Sequence, residues 1–439
     1  MKPIIRYFNK LRKFSQLDSN KKRERYLFEP TKAFIRKSPL TFLRTASLIL
    51  DLARRTLAVE LAHFFQFDPD QIVTKSAFCQ RRKAIRPTFF ADLFKQSHQQ
   101  FYKSFPTYKK WKGKLLLAVD GSGQKLPNEQ WIGEAFGFHQ NQHDNRPSTR
   151  LLFTYDVLNG IINRVDYHTQ KSAEVIHAYT NIEQLPKNAI YLYDRHYASF
   201  GMAYLHNRYG SDYVIRMPLT TSNVVKEFVQ SHEKEKVTTV TLADGRALRS
   251  LRKLDLNPER NAEVEVRLVR VELDDGQTEV LMTSLIDQSK YPHSCFKGLY
   301  GKRWGVETSI LILKSFLQLA LVSAYTQPGV EQDLWASFAF FNQQSALVFA
   351  CEDDVKKKTE HRKYTYKINR NVTAGLIKTY LSFIYLDEHS EWRAKTNVLL
   401  KLMPRYTEPY RPDRNNPRKK KIMRGQERHI HEKNYRKAI

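Results

Sequence analysis

The sequence is poor in cysteine, short of acid relative to base, and free of long apolar runs. Its three cysteines, Cys79, Cys295 and Cys351, lie far apart. They form neither a CxxC pair nor a disulfide framework, which excludes a disulfide-stapled scaffold and fits a reducing compartment. His139 and His143 have a ligand-like spacing, but no cysteine pair accompanies them, so they read as polar loop residues rather than a zinc site. No apolar stretch reaches the roughly 18 residues of a membrane span. The nearest, Leu334 to Cys351, is interrupted by Asn342-Gln343-Gln344 and reads as a buried helix. The N-terminus has no apolar core followed by a small-residue cleavage site, so a cytoplasmic protein without a secretory signal is expected. Asp plus Glu number 45 against 73 Lys plus Arg, a net charge of +28. That excess favours a polyanionic partner, because each cation that neutralises a phosphate releases a counterion. An anionic membrane is the weaker candidate for want of a span.

The texture of the 439 residues changes three times. Residues 1–110 carry helix-type periodicity (Phe42, Leu43, Ala46, Ile49, Leu50, then Leu57, Leu61, Phe64) with basic clusters at Lys21-Lys22-Arg23, Arg54-Arg55 and Arg81-Arg82-Lys83. They predict a helical module with basic faces, either a DNA-binding surface or simply solvated. From Lys114 the period shortens. Leu115 to Val119 reads as a buried strand stopping at a turn, Asp120-Gly121-Ser122-Gly123. Runs 151–157 and 161–169 flank Leu158-Asn159-Gly160, a hairpin signal. A helix at 173–184, a strand at 189–193 running into Asp194, a helix at 199–208 and a strand at 213–217 follow. Segments 236–242, 262–273 and 278–285, with turns at 243–245 and 274–276, describe a small antiparallel sheet. From Arg411 the tail is basic, apolar-poor and broken by prolines, which predicts a segment that stays mobile until it meets DNA, or one that only solubilises.

One stretch is richest in chemistry. Tyr300, Arg303, Glu307 and Lys314 are spaced by three, four and seven, so on one helix they form a polar stripe, while Val306, Ile310, Leu313 and Leu317 form an apolar one. Arg303 and Glu307 alone could be an ordinary i,i+4 ion pair. Their spacing with Tyr300 and Lys314 matches the Y-(2)-R-(3)-E-(6)-K signature of the insertion-sequence-four group of DDE transposases. Over about Leu115 to Leu347 the chain therefore resembles that group, and is similar to the Tn-five type of cut-and-paste transposases.

The resemblance implies a ribonuclease-H-like mixed α/β sheet, from residues 111–219 and 291–350, with a mainly β insertion at 220–290. A helical, DNA-binding domain precedes it and a basic C-terminal region, 351–439, follows. It implies that Asp120, Asp194 and Glu307 are catalytic and hold two Mg²⁺ or Mn²⁺ ions, Asp120 bridging them, since hard oxygen ligands suit such ions and two metals clamp both sides of a phosphoryl transfer. Tyr300, Arg303, Trp304, Lys314 and Arg216 are the implied DNA contacts. Trp304 either stacks on an unpaired base or packs beneath the helix. The implied activity is cleavage of transposon ends, through a DNA hairpin, and joining of the 3′-OH to target DNA. The implied partners are double-stranded terminal repeats, target DNA and a second copy of the chain, on the bacterial nucleoid. A ribonuclease-H-like nuclease without strand transfer and a non-catalytic DNA-binding descendant remain as alternatives.

Overall fold

The computed structural model describes the chain except residues 1, 53–54, 142–143, 170–173, 221, 243–245, 257, 260, 316, 320, 388–390 and 411–439. The basic tail and His143 therefore lie outside the described residues. The chain packs as two compact units. One combines residues 1–106, 125–135 and 311–439, the other 107–124 and 136–310.

The second unit is built on a nine-stranded sheet. Its strands are β1 (Leu115–Lys125), β2 (Phe138–Asn141), β3 (Asp144–Asp156), β4 (Ile161–Thr169), β5 (Ala189–Tyr193), β6 (Asp212–Met217), β7 (Glu235–Thr241), β8 (Glu263–Glu272) and β9 (Thr278–Thr283). The order is β2-β3-β1-β5-β6-β9-β8-β7, with β4 on β3. β1, β5 and β6 are parallel, with Ala118 opposite Leu192 and Tyr193 opposite Ile215. Strands in such a position are covered on both faces, which is why 116–119 and 189–193 are continuous apolar runs and fully buried. β3 and β4 form the expected hairpin, and Gly160 takes the positive φ of 72° that its turn requires.

Two expectations are corrected here. β1 does not stop at Asp120: the ladder runs on to Lys125, and what ends at Val119 is only the burial of both faces. Residues 235–283 do form an antiparallel ladder, but not a sheet of their own, because β9 pairs with β6 and extends the central sheet. That segment also holds two helices, Asn223–Gln230 and Arg246–Arg252.

The first unit is helical. Six helices lie within residues 3–104 of the described chain, as their periodicity predicts. They share a core with the 33-residue helix Gln327–Thr359 and with Arg370–Leu386 and Glu391–Leu402. Residues 311–350, expected in the sheet domain, thus pack with the N-terminal helices. The interrupting triplet Asn342-Gln343-Gln344 is fully buried, and each side chain is partnered: Asn342 donates to Ser97, Gln344 to the Arg370 carbonyl, and Gln343 accepts from Tyr385. The basic clusters are not all surface. Arg23 donates to the carbonyls of Pro30 and Ala33, and Arg82 is buried against Gln332, Ser323, Asp333 and the Gly329 carbonyl. Among the described residues no helix is long and apolar enough to cross a membrane.

Candidate active site

Asp120 and Asp194 come from neighbouring parallel strands. Asp120 lies within β1, and Asp194 follows β5, where its carboxylate accepts from the His196 amide at 2.8 Å and caps a short 3-10 turn, Arg195–Tyr197. The two line one cleft of about 360 Å³ together with Arg150, Glu174 and His196. Burial is the main influence on Asp120 and pushes its carboxyl up to about 7. Arg303 opposes that rise, while Asp194 and Glu307 add to it, so all three groups are close enough to be felt.

Tyr300, Arg303, Glu307 and Lys314 do not share one helix as their spacing suggested. Tyr300 sits in the last turn of the helix Cys295–Gly301, and Glu307 and Lys314 sit in the first and last turns of Trp304–Ser315. Between them Lys302, Arg303, Gly305 and Val306 bond back three residues instead of four, a tight turn that breaks the stripe. Gly305 lies close to the turn after β3: a Cβ there would lie 3.3 Å from Val157. The apolar stripe holds, with Val306, Ile310 and Leu313 buried; Leu317, also buried, lies beyond the helix end.

The signature residues have distinct surroundings. The Tyr300 hydroxyl donates to the Tyr193 carbonyl at 3.2 Å, which ties its helix to the strand end bearing Asp194. Arg303 is 5% exposed and donates from Nη2 to Glu307 Oε1 at 2.7 Å, yet among the described residues its Nε and Nη1 have no hydrogen-bond partner. Its guanidinium carbon lies 4.9 Å from the centroid of Trp304, whose ring is 52% exposed and does not pack beneath the helix. Arg216 pairs with Glu279 at 2.9 Å, and both are felt by the Tyr300 hydroxyl, which also feels Asp194. Lys314 is half-buried, and its ammonium is held below its ordinary value by burial and then by Lys125.

Three residues of the cleft escaped the sequence reading. Glu174, at a helix N-terminus, accepts from the Tyr197 hydroxyl and from Arg150 Nη1 at 3.2 Å. The only sequence signal for it is the glycine after Asp120: a Cβ on Gly121 would lie 2.2 Å from the Glu174 carboxyl carbon. Carboxylates of this kind suit a hard divalent cation in donor chemistry, and such a cation would offset both the burial and the acidic neighbours that raise Asp120. Among the described residues, however, no three acidic, His or Cys side chains converge as they stand into a metal-holding group.

Over 281 residues the chain is 24% identical to Transposase InsG for insertion sequence element IS4 of Escherichia coli (strain K12). The alignment covers 62% of this chain, which spans about 60% of the length of that curated relative. A cryo-EM structure of a piggyBac transposase synaptic complex with hairpin DNA aligns at a TM-score of 0.42 and 12% identity, covering 91% of this chain and 84% of that one. Residues 111–342 match the family described as Transposase DDE domain, and over that half of its length this chain belongs to that family.

Proposed function

We propose that the protein is a DNA transposase that cleaves transposon ends by metal-dependent hydrolysis and joins the freed 3′-OH to target DNA. The observation that carries the reading is Arg303, buried beside Asp120 and Glu307 with two nitrogens, Nε and Nη1, unmet among the described residues. An unmet buried donor costs about 1–3 kcal/mol, and an anionic phosphodiester is a partner that would satisfy donors of a buried guanidinium. The strand order β4-β3-β1-β5-β6, with a hairpin on one flank and three parallel strands on the other, supports a ribonuclease-H-like core.

In this reading Asp120, Asp194 and Glu307 hold the divalent cations, Mg²⁺ or Mn²⁺, which would stabilise charge on the attacking and leaving oxygens. Arg303 binds the phosphate next to them and Tyr300 fixes the helix that carries it. Trp304, exposed beside Arg303, offers a face on which an unpaired base of a hairpin end can stack. Lys314, Arg216 and the basic segment 411–439 add phosphate contacts, and two copies of the chain bring two ends together on nucleoid DNA.

Asp120→Ala, Asp194→Ala and Glu307→Ala are expected to abolish cleavage of a donor plasmid in Mg²⁺ while leaving DNA binding largely intact. Cutting at the wild-type rate by any of them removes that residue from the site. Arg303→Ala and Lys314→Ala are expected to impair end-specific cleavage more than nicking of a scrambled duplex. Equal, small losses on both would favour a plain nuclease.

A further inference from the structure

The ladder between β1 and β5 ends with Ala118 opposite Leu192, two residues short of Asp120 and Asp194. Among the described pairings, then, no β1–β5 rung spans the acids themselves. The acids also repel: after burial, and against the pull of Arg303, Asp194 adds to the rise of the Asp120 carboxyl. Their separation before a cation arrives depends on what packs around the two strand ends.

Glu174 stands at that gap. It opens the helix Glu174–Asn181 and is buried. On one side its carboxylate rests on Gly121, where a Cβ would overlap it. On the other it accepts from the hydroxyl of Tyr197, which is wholly buried and ends the 3-10 turn that Asp194 caps. One carboxylate thus touches the residue after Asp120 and the turn after Asp194. Burial and then Glu174 hold the Tyr197 hydroxyl well above its ordinary value, with Asp120 and Asp194 adding to the rise, so it remains a donor at neutral pH. The helix is pinned at a second point, where Tyr179 and Ser199 share a hydrogen bond just before the helix Phe200–Tyr209, and this limits how far the carboxylate can shift.

We propose that Glu174 is a positioning residue for the metal chemistry: wedged between Gly121 and Tyr197, it sets the separation of Asp120 and Asp194 before DNA binds. Side chains behind metal ligands act by fixing where the ligands point, and a site set in advance loses less freedom when the ion enters. Here the reach of the side chain matters more than its charge. A shorter acid would withdraw from Gly121 and leave a buried hydroxyl without its acceptor. Gly121 belongs to the same device, because any larger residue would push the carboxylate out of the gap. This inference rests on the proposed metal chemistry of the same cleft.

The test uses the full chain without DNA and Mn²⁺ as the probe, with free Mn²⁺ followed by its electron paramagnetic resonance signal. Binding lost in Asp120→Ala defines the site. Tyr197→Phe keeps the ring and removes the donor, and Glu174→Asp keeps the charge and shortens the reach. Each should weaken binding at that site by about tenfold or more, the range in which partners behind metal ligands act. Glu174→Gln, equal in length and still able to accept from Tyr197, should lose less than Glu174→Asp. Wild-type affinity in Tyr197→Phe overturns the proposal. A larger loss in Glu174→Gln than in Glu174→Asp also overturns it, by making Glu174 a charge rather than a spacer. So does a wild-type chain that binds Mn²⁺ no better than Asp120→Ala, since the acids would then not be set without DNA. If Tyr197→Phe unfolds, the two Glu174 variants decide, and if all three melt below the assay temperature the pair belongs to the fold and the proposal falls. End-specific cleavage by wild type with unchanged Mn²⁺ affinity in the variants would keep the transposase reading and remove this inference. The expected order of affinities in a chain that cleaves no DNA would do the reverse.

Discussion

Arg82 in the helical unit and Arg303 in the sheet unit are both almost wholly buried, with side chains 8% and 6% exposed, and their surroundings treat them in opposite ways. Arg82 donates to Gln332, Ser323, Asp333 and the Gly329 carbonyl, and Asp333 is itself met by the Ser323 hydroxyl. Among the described residues Arg303 has one hydrogen-bond partner, Glu307, and two unmet nitrogens beside a carboxyl pushed up by burial and by its acidic neighbours. A buried charge whose bonds are complete serves the fold. One whose bonds are left open, next to other open charges, is arranged for something not yet in place.

The largest effect on stability is expected at Arg82. Arg82→Ala leaves Asp333 buried without its cation and should cost about 3–5 kcal/mol in urea unfolding. A loss below 1 kcal/mol would show that the network is not a pillar of the helical unit.

His206 sharpens the contrast, being buried, neutral and fully partnered by Ser211 and the Tyr193 hydroxyl. Burial depresses its folded pKa to about 3 from an ordinary 6.5. The unfolded chain therefore takes up a proton that the folded one refuses. Stability is unaffected well above pH 6.5 and falls as pH drops from there toward 3, by about 1 kcal/mol at pH 5.5 from this group. His168 and His177 add the same sign. Unfolding midpoints at pH 7.5 and 5.5 should differ accordingly, and less so in His206→Gln. Equal pH dependence in the two proteins would mean that His206 is not held neutral.

The smallest stability effect is expected at Arg303. Arg303→Ala removes two unmet donors and leaves Glu307 with a side chain 34% exposed to water, so stability should change by no more than about 1 kcal/mol while DNA cleavage collapses. A stability loss as large as that of Arg82→Ala would erase the distinction between the two arginines.

Much of this was legible because local pattern and fold agree. The runs at 115–119 and 189–193 are apolar since parallel neighbours cover both faces, and Asn159-Gly160 turns where the hairpin needs a positive φ. Asp120 feels Arg303, Asp194 and Glu307; Arg303 and Glu307 could be singled out from their spacing, Asp120 and Asp194 only through the resemblance. What could not be read is long-range. That β9 would pair with β6 and merge 235–283 into the central sheet depends on an edge no local pattern encodes. The break between Tyr300 and Glu307 lies where Gly305 approaches Val157, a residue far away in sequence. Glu174 and Arg150, 24 residues apart in sequence, meet only through the sheet, and the inward turn of Arg82 within a basic run follows from partners some 250 residues away.

The helical unit is assembled from chain segments that leave the ribosome far apart in time. Residues 1–106 share their core with residues beyond 311, whereas the sheet unit needs only 107–124 and 136–310. At roughly 5–20 residues per second, synthesis separates the N-terminal helices from their partners by about 10–40 s. Through that interval Phe94 and Phe101 lack Phe338 and Phe349, the rings that later pack on them. The sheet unit can complete itself first, while the N-terminal helices wait with apolar faces uncovered. A chain truncated before residue 338 would then display a finished sheet beside an N-terminal segment prone to aggregate.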